Sequence, residues 1–188
     1  MSDQEFFTVN HSMAINIEPL SDDFTLPSYP EFEAEIPLPF IVASEFSQLE
    51  QLNDSAHAEL RKGEFKQLVT LLDTQNAKLN LLLTFMLSQQ DDASHRFQTT
   101  AFGASQFTFR SSNSLNEGHL VRAKLFLEQP AAAIYCYGRV ANCQVDDNQF
   151  LITVKYERLR EVDQDLLIKA ALMQQQKLLR QRSLNRDK

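Results

Sequence analysis

The sequence has few of the residues that common catalytic and cofactor sites require. Only four glycines occur in 188 residues, too few for a phosphate-binding loop or a dinucleotide-binding fingerprint. Two cysteines, Cys136 and Cys143, argue against a disulfide scaffold, and their spacing points them to opposite faces of a strand. The four histidines show no metal-ligand spacing. We therefore predict that the protein is not an enzyme, has no metal site and holds no cofactor.

Long apolar runs and, in the first third, basic residues are also scarce. The longest apolar run, within 81–87, is too short to cross a bilayer. The segment MSDQEFFTV has no basic or apolar region of a secretory signal, so we expect a cytoplasmic protein without membrane insertion. A formal charge of −7 and a pI of about 5.1 predict no nucleic-acid binding. The basic residues after Lys177 are interpreted as a solvated helix end.

Composition is that of an ordinary globular protein, with 43% hydrophobic and 23% charged residues. A length of 188 residues suits one domain, 1–188, with an elaborate insertion. Residues 5–18 alternate in a way that predicts a strand ending at Pro19. Residues 21–46 contain four prolines, so we expect a loop without helix, although its phenylalanines indicate that it packs on other parts of the chain.

Helical periodicity follows, in a first piece near 44–53 and a main piece near 55–90. Alternate steps of three and four along the main piece, from Phe65 to Gln89, define a coiled-coil seam in which six of eight positions are apolar. The first seven positions are Phe65, Leu68, Leu72, Gln75, Leu79, Leu82 and Met86. Gln75 is a polar seam residue of the kind that fixes register and oligomer number.

A second apolar stripe makes the end of this helix apolar almost all round, so it must be covered on more than one side. The stripe consists of Val69, Leu71, Leu81, Leu83, Phe85 and Leu87. Two interpretations follow. The seam self-associates to form a homo-oligomer, for which a tetramer is one candidate, or it packs against the protein's own sheet.

From Phe97 onward the apolar period changes from helical to two. Alternating segments within 97–158, separated by turns at 113–118, 129–130 and 146–148, predict an antiparallel meander or small barrel. A last helix is predicted at 161–183. Its apolar face would be formed by Val162, Leu166, Ala170 and Met173.

The segments FGASQFTFRSSNSLNEGHLVRAKLFL, IYCYGRV and FLITVKYERLREVDQDLLIKAAL resemble, in their order and spacing, the body of a PilZ domain. The resemblance covers roughly the last 90 residues. It implies an α+β fold: a small antiparallel six-stranded barrel whose first strand is 5–18. It also implies a Pro-rich loop and long helical insertion at 19–96, further barrel strands at 97–158, and a helix with a basic tail at 159–188. Atypical PilZ proteins with such insertions assemble through long helices.

The resemblance also implies a ligand, cyclic di-GMP, held by an RxxxR motif and a (D/N)xSxxG motif. Here the first motif would fall on 3–8, DQEFFT, which has no arginine, and the second on Gly103–Thr108, where only Ser105 matches. Guanidinium groups would supply the bidentate phosphate and guanine contacts, so their absence argues against the usual site. A different site could use Arg96, Arg110 and Arg139 with Ser105.

Together with the helical seam, the resemblance to PilZ domains implies a non-enzymatic signalling adaptor in type IV pilus, motility or biofilm regulation, with itself and an unidentified protein as partners. One alternative is a genuine cyclic di-GMP receptor with an unorthodox site. The other is a purely structural oligomer.

Overall fold

Seven antiparallel strands form the centre of the computed structural model, which describes residues 7–60, 65–128 and 131–186, with side chains for all of these except 50–59 and 184–186. The strands are β1 Thr8–Asn10, β2 Ala14–Pro19, β3 Arg96–Gly103, β4 Gln106–Ser111, β5 Leu120–Glu128, β6 Ala131–Asp146 and β7 Gln149–Arg158. Their order is β1-β3-β2-β5-β6-β7-β4, and an additional β3–β4 pairing closes six of them into a barrel. The predicted six-stranded barrel is confirmed.

Strand β1 lies outside the closed barrel, on the same edge of β3 as β2. The amide of His11 donates to the carbonyl of Thr100 at 3.1 Å, and the amide of Thr99 donates to Met13 at 3.0 Å, so the pairing with β3 continues between β1 and β2. The strand predicted at 5–18 is therefore one strand interrupted at 11–13. Residues 5 and 6 lie outside the described residues.

The barrel interior is filled by alternate residues, as the period of two predicts. In β5, Val121, Ala123 and Leu125 are fully buried, whereas the residues between them are half-buried. The predicted turn at 146–148 is a tight connection between β6 and β7. Asp147 and Asn148 adopt positive φ values of 43° and 70°, as the two central residues of a type I′ hairpin turn do.

Four helices accompany the barrel: α1 Tyr29–Glu35, α2 Leu38–Leu60, α3 Lys66–Ser88 and α4 Glu161–Arg186. The first three lie between β2 and β3, as the predicted helical insertion requires. The expectation of a helix-free loop at 21–46 is wrong, because Pro30 and Pro39 each occupy the second position of a helix. The first-turn amides have no partner within the helix, so a proline there removes no hydrogen bond.

The proline-rich segment nevertheless packs, as its phenylalanines predicted. Phe32 and Phe40 are fully buried in a cluster with Tyr135 and Tyr137 on the outer face of β6. The amide and hydroxyl of Ser28 donate to the Glu31 carboxylate at 2.9 and 2.6 Å, and so fix the start of α1.

Two details of the predicted helices differ from the structure. The predicted break near residue 54 falls inside α2, where helix continues through Asn53 and Asp54 despite their low helix propensity. In α4, Val162 and Met173 are exposed instead of buried, because the helix presents a different face to the barrel. That face consists of Asp163, Leu166, Leu167, Ala170 and Ala171.

Candidate functional site

The buried side chains of α3 lie on one of its faces. Val69, Leu83 and Leu87 are buried, and the two leucines belong to the cluster on the outside of β6. Their spacing places them on one side of the helix, and most of the other side chains of α3 are exposed to solvent in the part of the chain that the structure describes.

The predicted seam lies beside this buried face and is largely exposed. Leucines and Phe65 of the seam expose between 38% and 65% of their surface, Gln75 is also exposed, and Met86 is half-buried. The exposed fractions are Phe65 57%, Leu68 45%, Leu72 38%, Leu79 45% and Leu82 65%. Within the described residues, Met86 packs on the cluster on the outer face of β6, whereas the rest of the seam does not pack on the sheet.

Three residues of the second stripe are exposed as well. Leu71, Leu81 and Phe85 expose 56%, 72% and 66% of their surface. The other three residues of that stripe are the buried ones. The end of α3 thus carries two uncovered apolar lines, and contiguous exposed apolar surface of this kind marks interaction sites.

The end of α3 is fixed to the barrel by a polar junction. The side chain of Asn16 in β2 is 4% exposed and donates to Asp91 at 2.7 Å, while its oxygen accepts from the amide of Asp92 at 2.8 Å. Lys124 donates to the carbonyl of Gln90 at 3.0 Å. Burial raises the pKa of Asp91, but hydrogen bonds from Arg96 and Asn16 outweigh it and hold the pKa below its ordinary value.

The beginning of the insertion is fixed on the outer face of β6. The Tyr137 hydroxyl donates to Glu35 at 2.6 Å, and the Phe32 ring lies 6.0 Å from that of Tyr137. The Arg122 guanidinium lies over the same tyrosine ring and donates to Glu18 at 2.8 Å. Both ends of the insertion are thus attached, so α3 presents its exposed faces in a defined orientation.

The sequence did not reveal these attachment residues. Asn16 and Tyr137 alternate with the residues of the barrel interior, so the alternation places them on the outer face but does not indicate that this face is covered. The only available signal was that residues 21–46 contain several phenylalanines, which need an apolar surface to cover.

The candidate ligand residues are spread over two ends of the barrel. Arg139 is in register with Lys155, which is in register with Gln106, so Arg139 lies level with the β3–β4 turn that contains Ser105. Arg110 lies four residues further along β4, about 13 Å away. Arg96 begins β3, at the end opposite that turn. The structure brings Arg139 and Ser105 to one end and leaves Arg96 and Arg110 at the other.

Each of the three arginines forms an ion pair with a carboxylate. The pairs are Arg96 with Asp91, Arg110 with Asp146 at 2.6 Å and Arg139 with Glu157 at 2.7 Å. Arg139 also donates to the carbonyl of Gly118 at 3.0 Å, on the wall of a surface groove of about 420 Å³. Each of these guanidinium groups thus already has a carboxylate partner, which would compete with a phosphate for it.

The motif position of Gly103 is closed by the chain itself. Thr8 of β1 pairs with Gly103, and a Cβ atom at this glycine would collide with the backbone carbonyl of Phe7. The aspartate or asparagine of the (D/N)xSxxG motif therefore does not fit here. Of the RxxxR region, residues 3–6 lie outside the described residues.

Cys136 is buried and Cys143 half-buried, as thiols of a barrel wall are. Burial raises the pKa of the Cys136 thiol well above its ordinary value, which makes it unreactive. Across the described ranges we find no group of three or more His, Cys, Asp or Glu side chains suited to a metal ion. No helix in the same ranges combines the length and apolar character needed to span a membrane.

Neither a protein-family model nor a curated protein matches this sequence. Two solved structures resemble it over 94% of its length. One is the Bacillus subtilis inhibitor of motility MotI/DgrA, with a TM-score of 0.50 and 9% identity; this chain covers 53% of that protein, about half its length. The other is a tetrameric PilZ domain from Xanthomonas campestris that self-assembles through a helical bundle, with a TM-score of 0.55, 17% identity and 91% of that chain covered. At these identities the likeness establishes the fold alone, and the chain has a PilZ-like domain.

Proposed function

We propose that this chain is a non-enzymatic PilZ-like signalling adaptor that self-associates through the α3 seam. It acts in type IV pilus, motility or biofilm regulation by contacting a further protein, and it does not bind cyclic di-GMP through the usual site. The observation that carries the proposal is the exposed apolar seam of α3, which is held in a fixed orientation on the barrel.

The two uncovered lines on α3 favour a tetramer over a dimer. Successive residues of a helix are 100° apart, so Leu81 and Phe85 point about 100° away from Leu82 and Met86. A helix in a two-stranded coiled coil has one neighbour, whereas a helix in a four-helix bundle has two. The tetrameric helical-bundle assembly of the Xanthomonas protein supports the same number.

Substitution within the seam tests this self-association. Leu72→Glu and Leu79→Glu place charges in an apolar contact and should lower the molar mass of the assembly, because the α3 contact is lost. Ala77→Glu is the matched control, because Ala77 is an exposed residue on the polar face of α3 and should leave the mass unchanged. Equal effects of all three substitutions would argue that the seam has no special role.

The ligand part of the proposal rests on the closed position at Gly103 and on the carboxylate pairs of the three arginines. Calorimetric titration with cyclic di-GMP should give no saturating isotherm at micromolar concentrations. A saturating micromolar isotherm would support a receptor with an unorthodox site instead.

The adaptor role differs from a purely structural one in requiring a second protein. Affinity purification from the native cell should recover a protein of the pilus or motility machinery with the unmodified chain. Recovery of the chain alone would favour a structural oligomer.

A further inference from the structure

Helix α4 also has exposed apolar residues, on the side that faces away from the barrel. Ile168, Leu172 and Leu179 expose 40%, 46% and 56% of their surface, although each belongs to the same helix as the buried barrel face. They are separated by four and seven residues, so they lie on one line of the helix. The barrel-facing residues Asp163, Leu166 and Ala170 lie on roughly the opposite side of the helix.

This line of apolar residues continues as a heptad seam whose charge changes from one end to the other. Steps of three and four run through Asp165, Ile168, Leu172, Gln175, Leu179 and Arg182, and every one of these residues is exposed. The acidic residue lies toward the N-terminus, the basic residue toward the C-terminus, and the apolar residues between them. Such charges also suit the helix dipole, but the dipole does not account for the exposed leucines and isoleucine.

We infer that α4 pairs with α4 of a second copy of this chain in an antiparallel coiled coil. Antiparallel alignment about the centre of the seam places Asp165 beside Arg182 of the second copy and Ile168 beside Leu179 of the second copy. Leu172 then meets Gln175 of the second copy. These are the a-to-d layers that an antiparallel pair requires. Parallel alignment would set Asp165 against Asp165 and Arg182 against Arg182, which like charges oppose.

The α4 contact goes beyond the proposed function, because it uses a different helix from the α3 seam. An α3 assembly and an α4 pair are two independent interfaces between copies. A chain that has both would form larger assemblies than a chain with either one alone.

Charge reversal with rescue tests the pairing in the full-length chain. In the Leu72→Glu/Leu79→Glu background, which removes the α3 contact, sedimentation should still show a dimer. Asp165→Lys or Arg182→Glu alone should weaken that dimer at least about tenfold, because each sets like charges side by side. Asp165→Lys together with Arg182→Glu should restore the dimer to within about threefold of the background, since the pair is recreated with its charges exchanged.

Gln175→Leu provides a test by gain of affinity, since it replaces the polar partner of Leu172 with an apolar one and should tighten the dimer. Circular dichroism would confirm that each variant is folded. The inference would be overturned if the Leu72→Glu/Leu79→Glu chain were a monomer, or if the single charge reversals left the dimer affinity unchanged. It would also be overturned if the double reversal did not restore the dimer, a result that would indicate an acidic partner helix or a parallel pair. Loss of mass in the α3 variants down to a monomer would overturn the α4 pair alone. An unchanged mass in the α3 variants, with loss on Asp165→Lys, would instead overturn the role of α3.

Discussion

Replacing Phe32 with alanine should strongly destabilise the protein, because the ring attaches the proline-rich segment to the barrel. The side chain is fully buried, and its ring lies 6.2 Å from that of Tyr135 and 6.0 Å from that of Tyr137. Truncation of a buried phenylalanine lowers the free energy of unfolding by about 3–5 kcal/mol. For a chain of this length each kcal/mol shifts the melting temperature by roughly 2–4 °C, so the expected shift is about 6–20 °C.

Tyr29→Ala is the matched control, since Tyr29 is on the same helix but 43% exposed. Its ring lies edge-on to the Phe32 ring, with 6.0 Å between the ring centroids. A contact of this kind contributes about 1 kcal/mol to the free energy of unfolding. Urea denaturation followed by circular dichroism, at one protein concentration because self-association contributes to stability, measures both variants. A Phe32→Ala variant within about 1 kcal/mol of the unmodified protein would refute the packing of α1 on β6.

Three further predictions concern the barrel. Gly103→Ala should lower the free energy of unfolding by about 1–3 kcal/mol in urea, because the new methyl group would collide with the Phe7 carbonyl; an unchanged stability would show that β1 can move aside. Asn148→Gly should preserve or slightly raise the melting temperature, whereas Asn148→Val should lower it, because residue 148 has a positive φ. Burial raises the native pKa of Asp163 above its ordinary value of 3.8, against the hydrogen bonds and charge of Arg160, so the native chain binds that proton more tightly than the unfolded chain. The contribution of Asp163 to the free energy of unfolding is then greatest below pH 3.8 and declines as the pH rises through the native pKa. Unfolding curves of Asp163→Asn, measured across this pH range, should lack this decline. A contribution of Asp163 to stability that grows with pH would contradict the prediction.

The strands could be predicted because their signal is local. In β5, apolar residues alternate with Arg122 and Lys124, and the alternation alone places Val121 and Leu125 inside. The same signal at 5–18 indicated a strand but not its interruption at 11–13, which depends on pairing with a β3 that is more than 80 residues away.

The helices were harder because their bounds and faces depend on tertiary contacts. A proline argues against a helix only where the helix needs a backbone amide as a hydrogen-bond donor. Pro30 and Pro39 lie in the first turn of their helices, where no such donor is needed. The sequence contains the apolar residues of α3 but does not indicate that Val69, Leu83 and Leu87 are the ones that become buried. That choice follows from the outer face of β6, where Tyr135 and Tyr137 form the surface on which the insertion packs.

The candidate ligand site shows the same limit. The missing arginines at 3–8 were visible in the sequence, whereas the closure of Gly103 by β1 was not, since it is a backbone contact between distant residues. The predicted alternative arginines Arg96, Arg110 and Arg139 form ion pairs with Asp91, Asp146 and Glu157. Only Asp91 is close to its arginine in the sequence, so the other two pairs could not be predicted from it.

Self-association through α3 is tested most directly by the molar mass of the unmodified chain. Light scattering from low to high micromolar concentration should give a mass above 21.6 kDa, that of one chain, and the mass should reach the tetramer if both lines of α3 are covered. A monomer at high micromolar concentration would contradict the account, because the leucines of the seam would then remain exposed to water with no partner.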